Sequence, residues 1–394
     1  MKDKQKVELV FSEVFPPMHG GSGRWLWEVY SRQDAEKYVV VAGNAEGDTI
    51  FDDKAELKIH RISFNYLSWS DWALFSVGGL IFYTKLFLQL RRVIKQYHVT
   101  AIHCGRCIPE GFVAMLFKVF KGIPYYCYIH GEDIENSATS RSMTAMLRPV
   151  LKRADLLICN SKNSHRLLLE HWDVQKDKCC IVNPGANTSV FVPAPRCEST
   201  RQKLGWKDRF VLVTVSRLEE RKGHDMMVKA MTDIVKSVPN ALYAIIGSGP
   251  RIEYLKQLTH ELNLHDNIRF MPNVSDKDMV ACYQQADVFV LPNRDVGRNI
   301  EGFGIVMIEA QACGIPVIGG LSGGTPETLV HGQTGFSVNS STPNELVEHV
   351  ILLAGDYEKR EKMGLCARKH AEQFDWEIKG PEVIQSIERL ESIK

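Results

Sequence analysis

Two positively charged residues lie close together in the second half of the chain, in positions where they could bind a negatively charged ligand. Arg217 and Lys222 belong to the loop 216–223 (SRLEERKG), which follows a strand-like apolar run and precedes a helical one. A guanidinium and an ammonium group at the end of a strand match the charge of a diphosphate. The intervening residues 219–221 (EER) are expected to be solvated, because a run of charges in a loop is usually exposed.

Two glutamates flank the start of a later helix. Glu301 precedes a Gly-Phe-Gly turn at 302–304, and Glu309 lies about one and a half helical turns further on. The turn and the helix N-terminus would present backbone N–H groups to an anion, and carboxylates accept hydrogen bonds from the hydroxyls of a sugar or a ribose. The alternative is that two unrelated glutamates lie near a helix start.

Glycines and a histidine follow strand-like runs in the first half. Gly20 and Gly21 lie in a glycine-rich turn after the run Val7–Phe11, and His130 follows the run Tyr125–Ile129. The turn could bring backbone amides to an anion, or it is only a tight strand-to-helix connection; it is not the G-x-G-x-x-G fingerprint of dinucleotide-binding proteins. His130 would project from the end of its strand towards a ligand, unless its role is structural.

Two short spacings match metal sites only formally. Asp276 and Asp278 form a D-x-D pair, but Ser275 precedes them at the expected start of a helix, so helix capping explains the pair. Cys104 and Cys107 form a C-x-x-C pair without a second ligand pair at a matching spacing. We therefore expect no metal ion and no cofactor.

The elements that must position these residues alternate between apolar, β-branched runs and longer helical stretches. This order predicts an α/β fold with parallel sheets covered by helices. The alternation stops in the proline-containing segment 183–199 and then begins again. We therefore expect two doubly wound domains, residues 1–190 and 191–375, which face each other across a ligand-binding cleft. Residues 376–394 are expected to form a helix that crosses back to the first domain.

Composition argues against several classes of protein. Among 394 residues, 48 Lys and Arg balance 47 Asp and Glu, for a formal net charge of +1, so a broad basic surface for nucleic acid is not expected. No apolar run reaches the roughly 18 residues of a membrane-spanning helix, and the polar segment 1–6 is not typical of a signal peptide. Ten cysteines in mostly apolar contexts fit a reducing cytoplasm.

The segment 65–98 is rich in aromatic residues and ends with four basic ones. Basic helices with an aromatic face lie on membrane surfaces, but a helix packed on the sheet would show a similar pattern. Both interpretations stay open: contact with the inner face of the cytoplasmic membrane, or packing within the first domain.

Together these segments resemble the family 4 glycosyltransferases, which have the GT-B fold of two Rossmann-like domains. The spacing E-x7-E from Glu301 to Glu309 is the signature of that family, and the other segments occur in the family's order, followed by 323–327 (GGTPE). The resemblance covers essentially the whole chain. The stretch 293–306 is also similar to members that use GDP-mannose and act on phosphatidylinositol lipids.

The resemblance implies a role for each matching residue. Arg217 and Lys222 would bind the diphosphate of a nucleotide sugar, and His130 would stabilise the transition state near the transferred sugar. Glu301 would orient that sugar, and Glu309 would contact the ribose. The other donor contacts that the resemblance implies are Gly20, Gly21, Asn273, Val274, Gly302, Phe303 and Gly304.

The family transfers a sugar with retention of the anomeric configuration and without a metal ion. The resemblance thus implies a cytoplasmic hexosyltransferase, with GDP-mannose favoured over a UDP-hexose, and a glycan, a lipid-linked molecule or a small molecule as hydroxyl acceptor. Three alternatives are an epimerase-like nucleotide-sugar enzyme, an inactive GT-B binding protein and a phosphorylase-like enzyme. Lys222→Ala and Glu301→Ala are each expected to reduce transfer at least about tenfold while folding stays normal.

Overall fold

The chain forms two compact units. The first comprises Met1–Pro184 together with Trp376–Lys394, and the second comprises Gly185–Asp375. The structure, a computed structural model, describes residues 6–18, 20–64 and 76–393. The division after Pro184 falls within the proline-containing segment at which the alternation of strands and helices stops.

In the described residues of the first unit, seven strands form one parallel sheet. The strands are β1 (Val7–Ser12), β2 (Tyr38–Gly43), β3 (Lys58–Ile62), β4 (Val99–Cys104), β5 (Tyr125–Ile129), β6 (Leu156–Cys159) and β7 (Cys179–Ile181). Their order across the sheet is β3-β2-β1-β4-β5-β6-β7. Strands β2, β5 and β6 are buried along their whole length, which explains their uninterrupted apolar sequences.

Helices connect these strands. They are α1 (Gly21–Tyr30), α2 (Asp48–Asp52), α3 (Val77–Tyr97), α4 (Phe112–Lys121), α5 (Glu132–Ser137), α6 (Arg141–Arg153) and α7 (Lys162–His171). At the start of α3 the Ser76 side chain accepts a hydrogen bond from the Gly79 N–H, and at the start of α7 Ser161 accepts one from the Ser164 N–H. Such caps satisfy backbone donors that the first helical turn leaves unpaired.

The second unit contains a parallel sheet of six strands. They are β8 (Phe210–Val215), β9 (Ala241–Ile246), β10 (Ile268–Met271), β11 (Val288–Leu291), β12 (Val317–Gly320) and β13 (Gly335–Val338), in the order β10-β9-β8-β11-β12-β13. On β8, Val211 and Val213 pack into one apolar core, whereas Leu212 packs into another. The sheet is therefore covered on both faces, as parallel sheets are.

The helices of the second unit are α8 (Glu198–Lys203), α9 (His224–Ser237), α10 (Ile252–Glu261), α11 (Asp276–Gln285), α12 (Ile305–Ala312), α13 (Asn344–Gly355) and α14 (Tyr357–Glu372). The next helix, α15 (Trp376–Ile393), belongs to the first unit. Its residues Trp376, Val383 and Ile387 are buried in one apolar cluster with Trp25 and Tyr30 of α1.

The prediction of two doubly wound, parallel-sheet α/β domains is confirmed. In each sheet the strand order reverses between the first and the fourth strand of its unit, that is between β1 and β4 and between β8 and β11. At such a reversal the loops after the two strands diverge and leave a crevice beyond their carboxyl ends, where doubly wound sheets bind ligands. Among the described helices, none is both long and apolar enough to span a bilayer.

Candidate active site

The loop after β8 carries the two predicted cations of the second unit. It passes through a single 3-10 turn at Glu220–Lys222 and enters α9 at Gly223. Gly223 has a φ of 72°, and a Cβ atom there would lie 1.7 Å from the carbonyl oxygen of Pro292. A glycine is therefore needed where this loop contacts the segment after β11. That segment leads to Glu301.

Lys222 and Glu301 are in direct contact. Lys222 Nζ lies 2.5 Å from Glu301 Oε2, and Arg221 Nη1 lies 2.6 Å from the same oxygen. Arg217 is more exposed, with 67% of its side chain accessible, and its Nη1 lies 3.0 Å from Oε1 of Glu219. The structure thus brings the predicted Lys222 and Glu301 together, with Arg217 linked to them through neighbouring charged residues.

The expectation that Arg221 is solvated is wrong. Its side chain is only 4% exposed, although Glu220 beside it is an exposed loop residue as predicted. Burial of the guanidinium is tolerated because Glu301 supplies the opposite charge. This partner is 80 positions away in the sequence, so nothing in the local pattern of the loop could identify it.

The carboxyl group of Glu301 is buried among charges. Burial alone would raise its pKa, but the positive charges of Lys222 and Arg221 and the hydrogen bonds that both donate outweigh this effect and lower the pKa to about 2. Glu301 is therefore ionised at neutral pH. An ionised carboxylate accepts hydrogen bonds and cannot donate one, so it suits a hydroxyl-bearing ligand.

The segment after β12 holds the backbone of Glu301 in place. The Glu301 N–H donates to the Ser322 hydroxyl at 3.1 Å, and the Gly324 N–H donates to the Glu301 carbonyl at 3.1 Å. Gly323 has a φ of 52°, and a Cβ atom there would lie 1.8 Å from the same carbonyl oxygen. A glycine at position 323 is thus required for this close approach.

The other predicted residues of the 301–309 stretch are buried or half-buried. Glu309, on α12, is buried, and its Oε2 accepts a hydrogen bond from the Tyr283 hydroxyl at 2.9 Å. Phe303 is buried in the apolar core near Phe374, so any contact of residue 303 with a ligand would be made by its backbone. Gly302 is half-buried. Gly304 is buried, has a φ of 99° and is the N-cap residue of α12.

Asn273 and Val274 follow β10, at the edge of the sheet and two strands away from β8. Asn273 is exposed, whereas Val274 packs partly against the apolar core.

The D-x-D segment that follows them forms a helix cap. The Ser275 hydroxyl donates to the Asp278 carboxylate at 2.6 Å and accepts a hydrogen bond from the Asp278 N–H at 3.2 Å. This reciprocal contact is a helix cap. Within the described residues, no group of three or more His, Cys, Asp or Glu is placed to hold a metal ion.

In the first unit, the predicted glycines begin α1. Gly20 is the N-cap residue and Gly21 the first residue of the helix, and both are exposed. The first backbone N–H groups of a helix have no partner within it, and the helix dipole favours an anion there. The Trp25 ring, on the same helix, packs edge-on against the His130 ring with the centroids 5.7 Å apart. The structure thus brings the start of α1 and His130 to the same end of the sheet.

His130 follows β5 and is almost fully buried. Its Nε2 lies 2.8 Å from the carbonyl oxygen of Gly105. Because a carbonyl oxygen only accepts hydrogen bonds, Nε2 carries the proton. Burial lowers the pKa of His130, against the opposing charge of Asp133. The imidazole is therefore neutral near pH 7, with Nδ1 as an acceptor.

Glu110 is a buried acid at this end of the sheet that is not among the predicted site residues. Its Oε1 accepts a hydrogen bond from the Glu13 N–H at 2.8 Å, and its Oε2 is buried without a hydrogen-bond partner among the described residues. Burial raises its pKa to about 7, although the charge of Arg106 opposes the effect. A single glutamate after Cys-Ile-Pro gives no sequence signal for such an environment.

This pKa predicts a pH-dependent stability. A pKa raised from 4.5 to about 7 means that the contribution of Glu110 is fully present below pH 4.5 and is lost as the pH rises through 7. The loss corresponds to about 3 kcal/mol of the free energy of unfolding. We expect Glu110→Gln to abolish this loss, so that the variant gains stability relative to the wild type between pH 5 and pH 8 in urea unfolding.

Glu46→Gln is the matched control, because Glu46 is an exposed glutamate of the same unit. It should leave the difference between the free energies of unfolding at pH 5 and pH 8 unchanged. Parallel pH profiles of the wild type and Glu110→Gln would show that Glu110 is already ionised at neutral pH.

Two family models match the chain, one for each unit. The model described as Glycosyltransferase Family 4 matches residues 19–190, and the model described as Glycosyl transferases group 1 matches residues 197–370. Together they span every described strand except β1 and all twelve predicted site residues.

Two mannosyltransferases match over nearly the full length. The chain is 30% identical over 380 residues to a GDP-mannose-dependent monoacylated alpha-(1-6)-phosphatidylinositol monomannoside mannosyltransferase of Corynebacterium glutamicum, and the match covers 94% of this chain and 95% of that protein. It is 27% identical over 394 residues to a GDP-mannose-dependent alpha-(1-6)-phosphatidylinositol monomannoside mannosyltransferase of Mycolicibacterium smegmatis, with 96% and 97% covered.

Solved structures share the fold at low sequence identity. The Anabaena protein HepE, crystallised with UDP and glucose, superposes with a TM-score of 0.82 at 18% identity, covering 97% of this chain and all of that chain. Sucrose-phosphate synthase of Thermosynechococcus elongatus superposes with a TM-score of 0.81 at 19% identity, covering 98% of this chain. Both comparisons support the Rossmann-like architecture of the two units.

Proposed function

Because the chain belongs to the family 4 glycosyltransferases, we propose that it transfers a mannosyl group from GDP-mannose to a hydroxyl group of a phosphatidylinositol-type glycolipid. That it is a glycosyltransferase follows from its family. The donor and the acceptor are proposed from the names of its full-length relatives. A UDP-hexose is the alternative donor, and a glycan or a small molecule is the alternative acceptor.

The observation that carries the proposal is the contact between the loop after β8 and Glu301 at the β8–β11 reversal. Lys222 and Arg217 are proposed to bind the diphosphate, which accumulates negative charge as the anomeric C–O bond breaks. Fixed cations that bind this charge more tightly in the transition state than in the ground state lower the barrier. Glu301, ionised beside Lys222, is proposed to accept hydrogen bonds from the transferred sugar.

The other predicted residues take supporting roles in this proposal. Glu309 would accept a hydrogen bond from the ribose, and the amides at Gly20 and Gly21 would approach the donor phosphates. Neutral His130 would stabilise the transition state near the sugar. The donor contacts proposed in addition are Asn273, Val274, Gly302, Phe303 and Gly304, the last three through the backbone.

We propose that transfer retains the anomeric configuration. The acceptor oxygen forms its bond to the anomeric carbon on the face that the diphosphate leaves, and the acceptor proton passes to the departing phosphate oxygen. This route needs an oxocarbenium-like transition state but no covalent intermediate, and no side chain in the described site is nominated as a nucleophile.

A thermal-shift screen followed by a transfer assay tests the donor and the acceptor. GDP-mannose, GDP, UDP-glucose and UDP are compared; a ligand at 100 times its Kd stabilises the folded protein by about 2.7 kcal/mol. We expect GDP-mannose and GDP to raise the unfolding midpoint most, and radiolabelled mannose to appear in a phosphatidylinositol mannoside. Stabilisation by the uridine nucleotides alone would contradict the proposed donor.

We also propose that no divalent metal ion takes part. Arg217 and Lys222 provide positive charge for the diphosphate, and the Asp278 carboxylate is used in the helix cap with Ser275. Activity in EDTA is therefore expected to equal activity in Mg²⁺ or Mn²⁺, measured as initial rates of mannose transfer. A strict requirement for either ion would contradict this proposal, and the D-x-D pair would then be a candidate metal site.

Helix α3 supports a membrane-bound acceptor. Its buried face includes Leu86 and Leu90, whereas Val77, Leu80 and Ile81 on its solvent side are at least half exposed. The helix has four basic residues and no acidic one, so it is complementary to an anionic lipid surface. The aromatic residues predicted to join this surface, Tyr66, Trp69, Trp72 and Phe75, lie outside the described residues. We propose that α3 rests on the inner face of the cytoplasmic membrane.

Flotation with lipid vesicles tests this surface. The protein is expected to float with phosphatidylcholine vesicles that contain phosphatidylglycerol and not with phosphatidylcholine alone. A double variant, Leu80→Asp with Ile81→Asp, is expected to bind at least about tenfold more weakly, because two apolar side chains no longer enter the interface.

Leu365→Asp is the matched control for flotation, since Leu365 is an equally exposed leucine on α14 of the second unit. It should float like the wild type. Equal binding by all three proteins, or by none of them, would rule out α3 as the membrane-binding surface.

A further inference from the structure

Five charged side chains of the second unit form a continuous row, here named the charge chain: Arg217, Glu219, Arg221, Glu301 and Lys222. Arg217 Nη1 lies 3.0 Å from Glu219 Oε1, and Arg221 Nε lies 3.3 Å from Glu219 Oε2. Arg221 Nη1 and Lys222 Nζ lie 2.6 Å and 2.5 Å from Glu301 Oε2. Positive and negative charges therefore alternate, with Arg221 at the centre.

The two ends of the charge chain are the cations that the proposed function assigns to the donor diphosphate. In this structure each is paired with a carboxylate, Arg217 with Glu219 and Lys222 with Glu301. A diphosphate that binds the two cations also approaches both carboxylates. Like charges at short range in a partly buried site repel strongly, so binding requires a cation that stays with the carboxylates.

Arg221 has the position and the chemistry for this task. Its guanidinium reaches the two carboxylates through two different nitrogen atoms held in a fixed planar geometry, whereas a lysine would offer a single nitrogen atom. Its backbone is also anchored, because its carbonyl oxygen accepts a hydrogen bond from the Arg294 N–H at 2.8 Å. The Arg294 guanidinium is itself held by Asp225, at 2.8 Å and 3.0 Å.

We propose that Arg221 is a positioning residue that holds Glu219 and Glu301 and compensates their charge, so that Arg217 and Lys222 are free to bind the donor diphosphate. Arg221 acts through these neighbours and does not contact the donor. The inference rests on the proposed function, because the diphosphate is that of the nucleotide sugar.

Calorimetric titration with GDP tests the inference. We expect the Kd for GDP to rise at least about tenfold in Arg221→Met and at least about threefold in Arg221→Lys, which keeps the charge but loses the second nitrogen contact. In Arg221→Met with Glu219→Gln, part of the affinity should return, because no carboxylate then holds Arg217. The Kd for GMP should change less than the Kd for GDP in these variants, since GMP lacks the second phosphate.

Arg251→Met is the matched control. Arg251 is a partly exposed arginine 4.0 Å from Glu220 in the same loop, and its loss should change the Kd for GDP by less than about twofold. A folded Arg221→Met variant with wild-type affinity overturns the inference, as does the absence of any recovery in the double variant. If Arg221→Met does not fold, wild-type affinity in Arg221→Lys overturns it.

The failure of the inference is distinct from the failure of the proposed function. A wild-type protein that binds UDP and not GDP contradicts the proposed donor, and the same titrations with UDP then decide the role of Arg221. A wild-type protein that binds GDP but transfers no mannose contradicts the proposed function alone. A wild-type protein that binds neither nucleotide overturns both.

Discussion

The Lys222→Ala variant is expected to transfer sugar about 100-fold more slowly than the wild type while keeping its fold. One fixed cation that stabilises the departing diphosphate contributes about 3 kcal/mol to the transition state, which corresponds to that factor. The fold survives because Arg221 Nη1 stays 2.6 Å from Glu301 Oε2, so the buried carboxylate keeps a counter-charge. The rate of mannose transfer and the midpoint of thermal unfolding measure both effects.

Lys236→Ala is the control for this experiment. Lys236 is an exposed lysine of α9 that pairs with Asp233 at the surface, and such pairs contribute little to stability. Its rate and its unfolding midpoint should match those of the wild type. If Lys222→Ala transferred sugar at the wild-type rate, the assignment of Lys222 to the proposed active site would be wrong.

The Glu301→Ala variant is expected to lose both activity and stability. Removal of the carboxylate leaves Lys222 buried without its counter-charge and leaves Arg221 with Glu219 alone. The loss of one partner of a buried ion pair costs about 3–5 kcal/mol. The structure therefore changes the expectation, drawn from the sequence, that this variant folds normally. Urea unfolding measures the free energy, and transfer should fall at least about 100-fold.

A second substitution and the pH give independent checks on Glu301. Adding Arg221→Met to Glu301→Ala should recover part of the stability, because Lys222 then no longer lies beside a second buried cation. The pKa of Glu301 is lowered to about 2, so its contribution is present above pH 4.5 and is lost as the pH falls towards 2. The stability difference between the wild type and Glu301→Ala should shrink over that range, and a constant difference would contradict this account.

The interior strands of both sheets could be predicted from sequence, whereas the two edge strands of the first sheet could not. The strand-like runs 125–129, 156–159 and 210–215 of the sequence coincide with β5, β6 and β8, because each run is almost entirely apolar and is buried in the sheet. The edge strands β3 and β7 are missed. Their residues are half-buried or exposed, with sequences KIHRI and CCI, so they lack the apolar pattern that marks a buried strand.

The residues of the candidate site also differ in whether the local sequence is sufficient to identify them. Arg217, Lys222 and Glu301 lie directly after strands or before a helix, so a local pattern is sufficient to select them. Arg221 and Glu110 could not be selected locally, because the burial of each depends on what the folded chain places opposite it. For Arg221 this is Glu301, and for Glu110 it is the backbone of residue 13, 97 positions away.

The return of α15 to the first unit has a consequence for biosynthesis. The second unit is an insertion whose two ends meet, since the Ala186 N–H donates to the Phe374 carbonyl at 2.9 Å. A nascent chain can therefore complete the second unit first. The first unit cannot complete its apolar core until Trp376, Val383 and Ile387 have left the ribosome, because the apolar side of α1 is uncovered until then. A chaperone that shields this side during translation would protect the half-made enzyme from aggregation.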